Sequence, residues 1–251
     1  MQTESNSRKI VLITGAARRI GAAIARTLHA AGFDLVLHYR SSEQDMQALH
    51  DELEHVRTGS VLALQADLAN PETPARLVDS ALRHYGRLDA LVNNASAFFE
   101  SSLGSTTLDE WDALFAINAR APFLLCQAAA PALRESRGAI VNLTDLYAMR
   151  PRPDVLAYAA TKAALESLTR GMASALGPGG VRVNAVAPGA ILWPEEDEEG
   201  GERTAMLART PLGRTGKAGE VAEAVRWLLM DAGFVTGQVL RVDGGRDAHW
   251  L

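Results

Sequence analysis

Two side chains, Tyr158 and Lys162, have the types and spacing needed for proton transfer. They are four residues apart, and this spacing puts both on one face of a helix. A free tyrosine has a pKa of about 10, which is too high for easy proton exchange at neutral pH. An ammonium group beside the phenol and an oxidised nicotinamide would both favour the phenolate, so Lys162 and the cofactor together are expected to lower the pKa of Tyr158. Tyr158 could then pass a proton to a substrate atom as a hydride arrives. Because such pairs are commonly structural, the surrounding residues must decide their meaning.

A turn near the start of the chain has the glycines that a dinucleotide site requires. After an apolar run that ends at Thr14, the sequence reads Gly15-Ala-Ala-Arg18-Arg19-Ile20-Gly21. When such a turn joins a strand to a helix, a pyrophosphate can bind at the helix N-terminus. Gly15 would permit the tight turn, and Gly21 would permit close packing of the helix on the strand. Arg19 occupies the place where a further glycine is usual.

The end of the second apolar run distinguishes between the two nicotinamide cofactors. NAD-dependent enzymes usually have an acid there, which binds the ribose hydroxyls. This chain has Tyr39, Arg40 and Ser41 instead. The planar fork of Arg40 can bind a 2′-phosphate, and the hydroxyl of Ser41 or Ser42 can donate a hydrogen bond. The alternative is that Arg40 is a solvent-facing loop cation. The sequence favours NADPH.

Short apolar runs alternate with longer helical stretches along the chain. Strands are predicted at residues 10–14, 34–39, 60–65, 88–93, 139–142, 181–185 and 238–242. Helices are predicted at residues 19–31, 42–57, 72–85, 107–134, 155–176 and 219–230. Strands that are apolar throughout are typical of parallel sheets covered on both faces. The pattern predicts one doubly wound Rossmann-type α/β domain over residues 10–251, with a seven-stranded parallel sheet flanked by helices. Residues 1–9 are predicted to be a disordered tail.

The composition restricts the partners and the compartment. A net charge of -5 argues against nucleic acid as a partner, because phosphate binding needs a basic face. The single cysteine, Cys126, excludes an intrachain disulfide, and its apolar neighbours favour a core residue over a nucleophile. The polar N-terminus lacks an apolar signal region, and no uninterrupted apolar run approaches the roughly 18 residues of a membrane span. A cytoplasmic protein that binds neither membrane nor metal is therefore expected.

A series of short motifs occurs in a consistent order: Thr14-Gly15, Asp67-Leu68, Asn93-Asn94-Ala95, Asn118, Tyr158 with Lys162, and Pro188-Gly189. With these motifs the chain resembles the short-chain dehydrogenase/reductase family over nearly its whole length. The resemblance implies that the Asp67 position contacts adenine and that the Asn94 segment supports the cofactor. It also implies that the Asn118 position holds a water linking the lysine to solvent, and that Pro188-Gly189 borders the nicotinamide. Cofactor contacts are expected from Gly15, Arg18, Arg19, Ile20, Tyr39, Arg40, Ser41, Asp67, Leu68, Asn94, Ala95, Ser96, Tyr158, Lys162, Pro188, Gly189 and Ile191.

One position departs from the common pattern of that family. Most members have a serine thirteen residues before the tyrosine, and this chain has Asp145 there. Thr144 is adjacent but would point elsewhere if the strand register continues. A carboxylate would repel a developing alkoxide, so a simple ketone is a poor substrate. A carboxyl group suits a substrate with N–H donors or a ring nitrogen that needs a proton.

With an aspartate at this position, the chain resembles the pteridine reductase branch of the family. It is also similar to the bacterial dihydromonapterin reductases. Arg19 in the glycine turn, the His38-Tyr39-Arg40-Ser41 sequence and the segment from Asn94 to Phe98 support the same resemblance. It implies that Arg19 lies near both pyrophosphate and substrate, that Ser96 lines the site, and that Phe98 stacks on the pterin. The expected reaction is reduction of an oxidised or dihydro pterin of biopterin, monapterin or folate type. The catalytic residues would be Asp145, Tyr158, Lys162 and Asn118, and the substrate would contact Arg19, Ser96, Phe98, Asp145 and Tyr158.

Two other functions remain open. An ordinary carbonyl reductase, acting for example on a 3-oxoacyl thioester, is opposed by Asp145. A non-catalytic NADPH sensor is opposed by the presence of both Tyr158 and Lys162. The resemblance further implies a homotetramer, in which His249 or Trp250 could approach a neighbouring active site. The acidic segment 193–202 is expected to be either a solvated loop or a mobile lid.

Overall fold

Seven parallel strands form one sheet in the order β3-β2-β1-β4-β5-β6-β7. The computed structural model describes residues 8–191 and 201–248, without the side chains of residues 201–203. The strands are β1 Ile10–Ile13, β2 Asp34–Tyr39, β3 Val61–Gln65, β4 Ala90–Asn93, β5 Ala139–Leu143, β6 Arg182–Pro188 and β7 Val239–Val242. The strand order reverses its direction between β1 and β4, and ligands bind at such a switch point in open α/β sheets. The predicted fold class, strand number and parallel arrangement are confirmed.

The central strands form because both of their faces are covered. Every residue of β1, β4 and β5 is buried. On β1, Val11 and Ile13 belong to one core, whereas Ile10 and Leu12 belong to a second core on the opposite face. This alternation follows from the two-residue period of a strand. Two helical layers therefore pack against one sheet, and the carboxyl ends of the strands remain open at one edge.

Each of the six predicted helical ranges contains a helix in the structure, although the observed ends differ by a few residues. They are α1 Arg19–Ala30, α2 Glu43–Val56, α3 Thr73–Tyr85, α4 Leu108–Phe115, α5 Ala121–Ser136, α6 Leu156–Leu176, α7 Gly201–Ala208 and α8 Ala218–Met230. The helix predicted at 107–134 is interrupted by a π-helical turn, Ala116–Arg120. A π turn inserts one residue into the helical repeat, which changes the direction in which the following side chains point.

The segment from α4 to α5 is long and apolar enough to cross a membrane by length and composition alone. It packs against α3 and α6, and Leu114, Leu125, Ala129 and Leu133 are buried within the protein. These contacts are those of a core helix. The cytoplasmic location stays a prediction.

Several predictions fall outside the described residues. They concern residues 1–7 of the N-terminal tail, most of the acidic segment including Trp193, and His249 and Trp250 at the C-terminus. Residues 8 and 9 are exposed and precede β1. Helix α7 begins at Gly201, where the sequence predicted only an acidic loop.

Candidate active site

The glycine turn after β1 is held against the loop after β4. The Asn94 side chain donates hydrogen bonds to the carbonyls of Thr14, at 2.9 Å, and Gly15, at 2.8 Å. Gly15 has a φ of 63°, and a Cβ there would lie 2.8 Å from the Cα of Ala95. A Cβ on Gly21 would lie 2.2 Å from the Gly15 carbonyl oxygen. The turn therefore requires glycine at both positions, for the reasons that the sequence suggested.

Arg19 begins α1 with a left-handed backbone, at a φ of 53°. This conformation costs a residue other than glycine about 1–2 kcal/mol, which explains why a glycine is usual at this position. The first turn of α1 contains no acidic residue, so its positive end can accept a phosphate. Arg19 also lines the cavity that contains Asp145 and Tyr158.

His38 of β2 holds the glycine turn in place by a hydrogen bond to its backbone. Its Nδ1 accepts from the Gly15 N–H at 3.3 Å, and its Nε2 lies 3.1 Å from the Ala66 carbonyl oxygen. Burial lowers the pKa of His38, which favours the neutral ring with its proton on Nε2. The following residues, Arg40 and Ser41, are exposed at the end of β2. This arrangement puts a cation beside the glycine turn, where a ribose phosphate would lie.

Asn118, on the π turn, connects the loop after β4 to α6. Its Oδ1 accepts from the Ala97 N–H at 2.8 Å and from the Ser96 hydroxyl at 3.2 Å. Its amide group donates to the Ala97 carbonyl at 2.9 Å and to Thr161 Oγ1 at 3.1 Å. All hydrogen-bonding capacity of the side chain is therefore engaged. Asn118 positions the Ser96–Phe98 segment over the helix that carries Tyr158 and Lys162.

The Tyr158 hydroxyl donates a hydrogen bond to Asp145 Oδ2 at 2.9 Å. The other carboxylate oxygen, Oδ1, accepts from the Tyr147 N–H at 2.9 Å and begins a short 3₁₀ turn. Thr144, as expected, points away and donates to the Val186 carbonyl. Burial raises the pKa of Asp145 above its ordinary value, against the opposing effects of the Tyr147 N–H and the Lys162 charge. Asp145 thus occupies the position that a serine holds in the common pattern.

The protein shifts the pKa of Tyr158 upward, whereas the sequence predicted a downward shift from Lys162 and the nicotinamide together. Burial and the neighbouring Asp145 carboxylate raise that pKa well above 10. Lys162 Nζ donates to the Leu143 carbonyl at 3.0 Å and lies 5.7 Å from the centre of the Tyr158 ring. Burial lowers the pKa of Lys162 to about 8. Tyr158 is therefore protonated at neutral pH, and its proton can leave only when a strongly basic atom forms beside it.

A cavity of about 590 Å³ joins these groups at the carboxyl ends of the strands. Eleven of the predicted site residues line it: Arg19, Ile20, Asn94, Ser96, Phe98, Asp145, Tyr158, Lys162, Pro188, Gly189 and Ile191. The others lie outside its wall: Gly15, Arg18, Tyr39, Arg40, Ser41, Asp67, Leu68, Ala95 and Asn118. Of these, Arg18 pairs with Asp45 at 3.7 Å, and Asp67 lines a second cavity beyond β3.

Comparison with known proteins assigns the family. Residues 15–247 match the family model described as enoyl-(acyl carrier protein) reductase. A 3β-hydroxysteroid dehydrogenase of Eggerthella lenta is 35% identical over 243 residues, which cover 94% of this chain and 93% of that protein. A 3-oxoacyl-[acyl-carrier-protein] reductase of Synechocystis is 35% identical over 240 residues, with 94% and 96% coverage. This chain belongs to the short-chain dehydrogenase/reductase family.

A solved family structure supports the cofactor prediction. The short-chain dehydrogenase of Burkholderia cenocepacia, in complex with NADP, has a TM-score of 0.89 and 38% identity, over 95% of this chain and 98% of that one. The predicted NADPH agrees with this neighbour. The residues present here also fit a dinucleotide phosphate, since the cradle at Gly15 and Gly21 excludes a Cβ and the end of β2 presents Arg40 without an acid.

Replacing Arg40 by Asp should change the cofactor preference of this family member. The KM for NADPH should rise at least about 10-fold, because a charge-assisted pair to phosphate is lost and an acid takes its place. The KM for NADH should stay within about twofold or fall. Steady-state kinetics with both cofactors measure the change, and Arg83→Asp on α3 is the matched control. An equal response of both constants would show that Arg40 does not bind the phosphate.

The cavity wall also contains residues that the sequence did not predict as site residues, and Tyr147, Arg152 and Arg246 are three of them. Tyr147 and Arg152 form one wall, where Arg152 donates to the Tyr147 hydroxyl at 3.4 Å and pairs with Asp154. Arg246, after β7, forms another part of the wall. A signal for Arg246 existed, because Asp243-Gly-Gly-Arg246 directly follows a strand whose carboxyl end faces the ligand edge. The residues that the sequence suggests at the C-terminus, His249 and Trp250, lie outside the described residues.

Proposed function

We propose that this short-chain dehydrogenase/reductase is a pteridine reductase that uses NADPH to reduce an oxidised or dihydro pterin to its tetrahydro form. The hydrogen bond between Tyr158 and Asp145, at 2.9 Å, carries the proposal. A carboxylate at this position disfavours the oxyanion that carbonyl reduction generates. It suits a heterocycle whose N–H groups donate hydrogen bonds and whose ring nitrogen receives a proton.

The aromatic wall of the cavity supports a flat substrate. Phe98 is 60% exposed, and its ring meets the Tyr158 ring edge to face, at 4.7 Å between centroids and 88° between planes. The exposed ring face is available for stacking, and offset stacking with a heteroaromatic ring is favourable. Ser96 and Arg19 lie on the same cavity and offer polar contacts to the ring edge.

The chain's own residues supply the proton. When bound, NADPH provides the hydride for reduction of a C=N bond. Tyr158 is protonated at neutral pH, because its pKa is raised, and it can pass this proton to the adjacent ring nitrogen, which becomes strongly basic as the hydride arrives. Asp145 orients the hydroxyl and can accept an N–H bond from the substrate. The Lys162 ammonium stabilises the phenolate left after the transfer. Asn118 holds the loop after β4 against α6 by its hydrogen bonds to Ala97 and Thr161.

A second candidate function is reduction of a 3-oxoacyl thioester. The name of the Synechocystis relative favours it, and the Eggerthella relative is named for a hydroxysteroid, which is not a pterin either. Asp145 is the feature that opposes it on electrostatic grounds. A non-catalytic NADPH-binding role is opposed by the assembled Tyr158, Lys162 and Asp145.

Oxidation of NADPH with a panel of substrates tests the proposal. Dihydrobiopterin, dihydromonapterin and dihydrofolate represent the pterins, and acetoacetyl thioester represents the alternative. We expect kcat/KM to be at least about 100-fold higher for one of the pterins than for the thioester. The opposite order would establish a carbonyl reductase, and no oxidation with any of them would favour a binding role.

The rate of reduction should fall on the alkaline side at a pH near the pKa of Lys162. Burial lowers that pKa to about 8, so the ammonium is present at neutral pH and is lost above about pH 8. Tyr158 keeps its proton throughout this range, because its pKa is raised. The profile of kcat/KM against pH reports the free enzyme. In Lys162→Arg the alkaline limb should move upward, since arginine stays charged; an unmoved limb would assign it to another group.

A homotetramer is also part of the proposal. Leu108, Trp111 and Phe123, on α4 and α5, are exposed apolar residues that a second copy could cover. Sedimentation velocity measures the assembly, and a monomer at micromolar concentration would contradict it.

A further inference from the structure

We infer that Arg246 binds an anionic group of the substrate, so that the site takes a pterin whose side chain carries a carboxylate. The inference rests on the proposed function and extends it to the side chain of the substrate. Arg246 is half-buried and lines the same cavity as Asp145, Tyr158 and Lys162. It lies in the segment after β7, on the side of the cavity formed by Pro188 and Gly189.

The backbone that carries Arg246 is tightly fixed. Asp243 Oδ1 accepts from the Gly245 N–H at 2.9 Å, and Asp243 Oδ2 accepts from the Asp247 N–H at 2.7 Å. The Arg246 N–H donates to the Asp243 carbonyl at 3.3 Å. This turn packs against β6, since a Cβ on Gly189 would lie 2.7 Å from the Asp243 Cα. Arg246 therefore extends from a rigid turn, which reduces the entropy that binding must overcome.

Among the side chains that the structure describes, those of residues 8–191 and 204–248, none forms a hydrogen bond or ion pair with the Arg246 guanidinium. Its neighbour Asp247 is already engaged, with one oxygen 2.9 Å from Arg150 Nε and the other 2.8 Å from Arg241 Nε. The two carboxylate oxygens of Asp243 accept from backbone N–H groups. The adjacent acids of the chain are thus used by other partners.

The acids of the cavity wall are also engaged elsewhere. Both oxygens of Asp145 accept hydrogen bonds, from Tyr147 and Tyr158. Asp154 pairs with Arg152, and Glu100 accepts from the Ser102 hydroxyl at 3.4 Å. The positive charge of Arg246 nevertheless reaches the reacting end of the cavity, because it lowers the pKa of Asp145.

A half-buried guanidinium with no partner among the described side chains is unfavourable until an anion binds to it. A carboxylate matches its planar fork with two parallel hydrogen bonds. A flat ring held beside Phe98 and Tyr158 would leave its side chain free to extend along the cavity wall. Arg246 would therefore favour binding of a folate-type pterin, which has carboxylates, over pterins with neutral hydroxyalkyl side chains.

The test compares Arg246→Gln with the parent enzyme on dihydrofolate and dihydrobiopterin. For dihydrofolate the KM should rise about 10-fold to 100-fold, the loss expected for hydrogen bonds to a charged group. For dihydrobiopterin the KM should stay within about twofold, and kcat should change little for either substrate. Arg246→Lys should restore part of the affinity, and Arg226→Gln on the surface of α8 is the matched control. Equal effects on both substrates, or none, would overturn the inference.

A binding measurement separates this inference from the proposed function. Intrinsic fluorescence titration with oxidised folate and with biopterin, in the presence of NADP, needs no turnover. If the parent reduces neither pterin, the proposed function fails, and the titration still decides the role of Arg246. The inference is supported if Arg246→Gln lowers the affinity for folate and leaves the affinity for biopterin unchanged. It is contradicted if the affinities for both ligands fall equally, or if neither ligand binds.

Discussion

Replacing Tyr158 by Phe should lower kcat for NADPH-dependent reduction about 1,000-fold, within the range known for general acid catalysis. The phenol oxygen is the only atom removed. It donates to Asp145 at 2.9 Å, and its pKa is raised, so it is a protonated group on the cavity wall. The ring itself still packs against Phe98 at 4.7 Å between centroids. The dissociation constant for NADPH should change less than about threefold, because the glycine turn and Arg40 are untouched.

Single-turnover kinetics and an NADPH titration measure the two effects. Tyr85→Phe is the matched control, because the Tyr85 hydroxyl donates to the Leu35 carbonyl at 3.4 Å and lies outside the wall of the cavity. That variant should lose some stability and keep its rate. A Tyr158→Phe enzyme with more than about a tenth of the parent kcat would show that another group delivers the proton.

Replacing Asp145 by Ser should lower kcat/KM for the pterin about 100-fold and raise the rate with a simple carbonyl substrate. The carboxylate accepts from Tyr158 and Tyr147, and it raises the pKa of Tyr158 by its charge and by its hydrogen bond. A serine hydroxyl removes the repulsion of an alkoxide and can donate a hydrogen bond to a carbonyl oxygen. The pKa of Tyr158 should also fall.

Asp145→Asn separates charge from shape in this experiment. Its carbonyl oxygen can still accept from the Tyr147 N–H, while its amide can no longer accept from Tyr158 at the second position. We expect loss of pterin reduction without a gain of carbonyl reduction. If Asp145→Ser retains full pterin activity, the proposed role of Asp145 and the choice of substrate class both fail, whereas the family assignment stands.

The sequence predicted the sheet well because parallel strands covered on both faces form apolar runs. Ile10–Ile13 is buried throughout and lies within one or two residues of its predicted bounds. Helix α7 was missed because Gly201–Ala208 follows an acidic stretch whose composition indicates a loop. The π turn at Ala116–Arg120 was missed because a single inserted residue leaves the apolar pattern of a long helix almost unchanged.

The sequence alone determined the family, the fold and the meeting of Tyr158 with Lys162, because these depend on local periodicity and on motif order. Only the tertiary structure decided the electrostatics. The pKa of Tyr158 is raised by its burial and by Asp145, which lies thirteen residues earlier in the chain. The Lys162 ammonium donates its hydrogen bond to the Leu143 carbonyl and not to the phenol. The left-handed backbone of Arg19 and the position of Arg246 on the cavity wall likewise depend on packing between distant segments. Desolvation and long-range contacts are properties of the folded chain, and no local pattern of residues reports them.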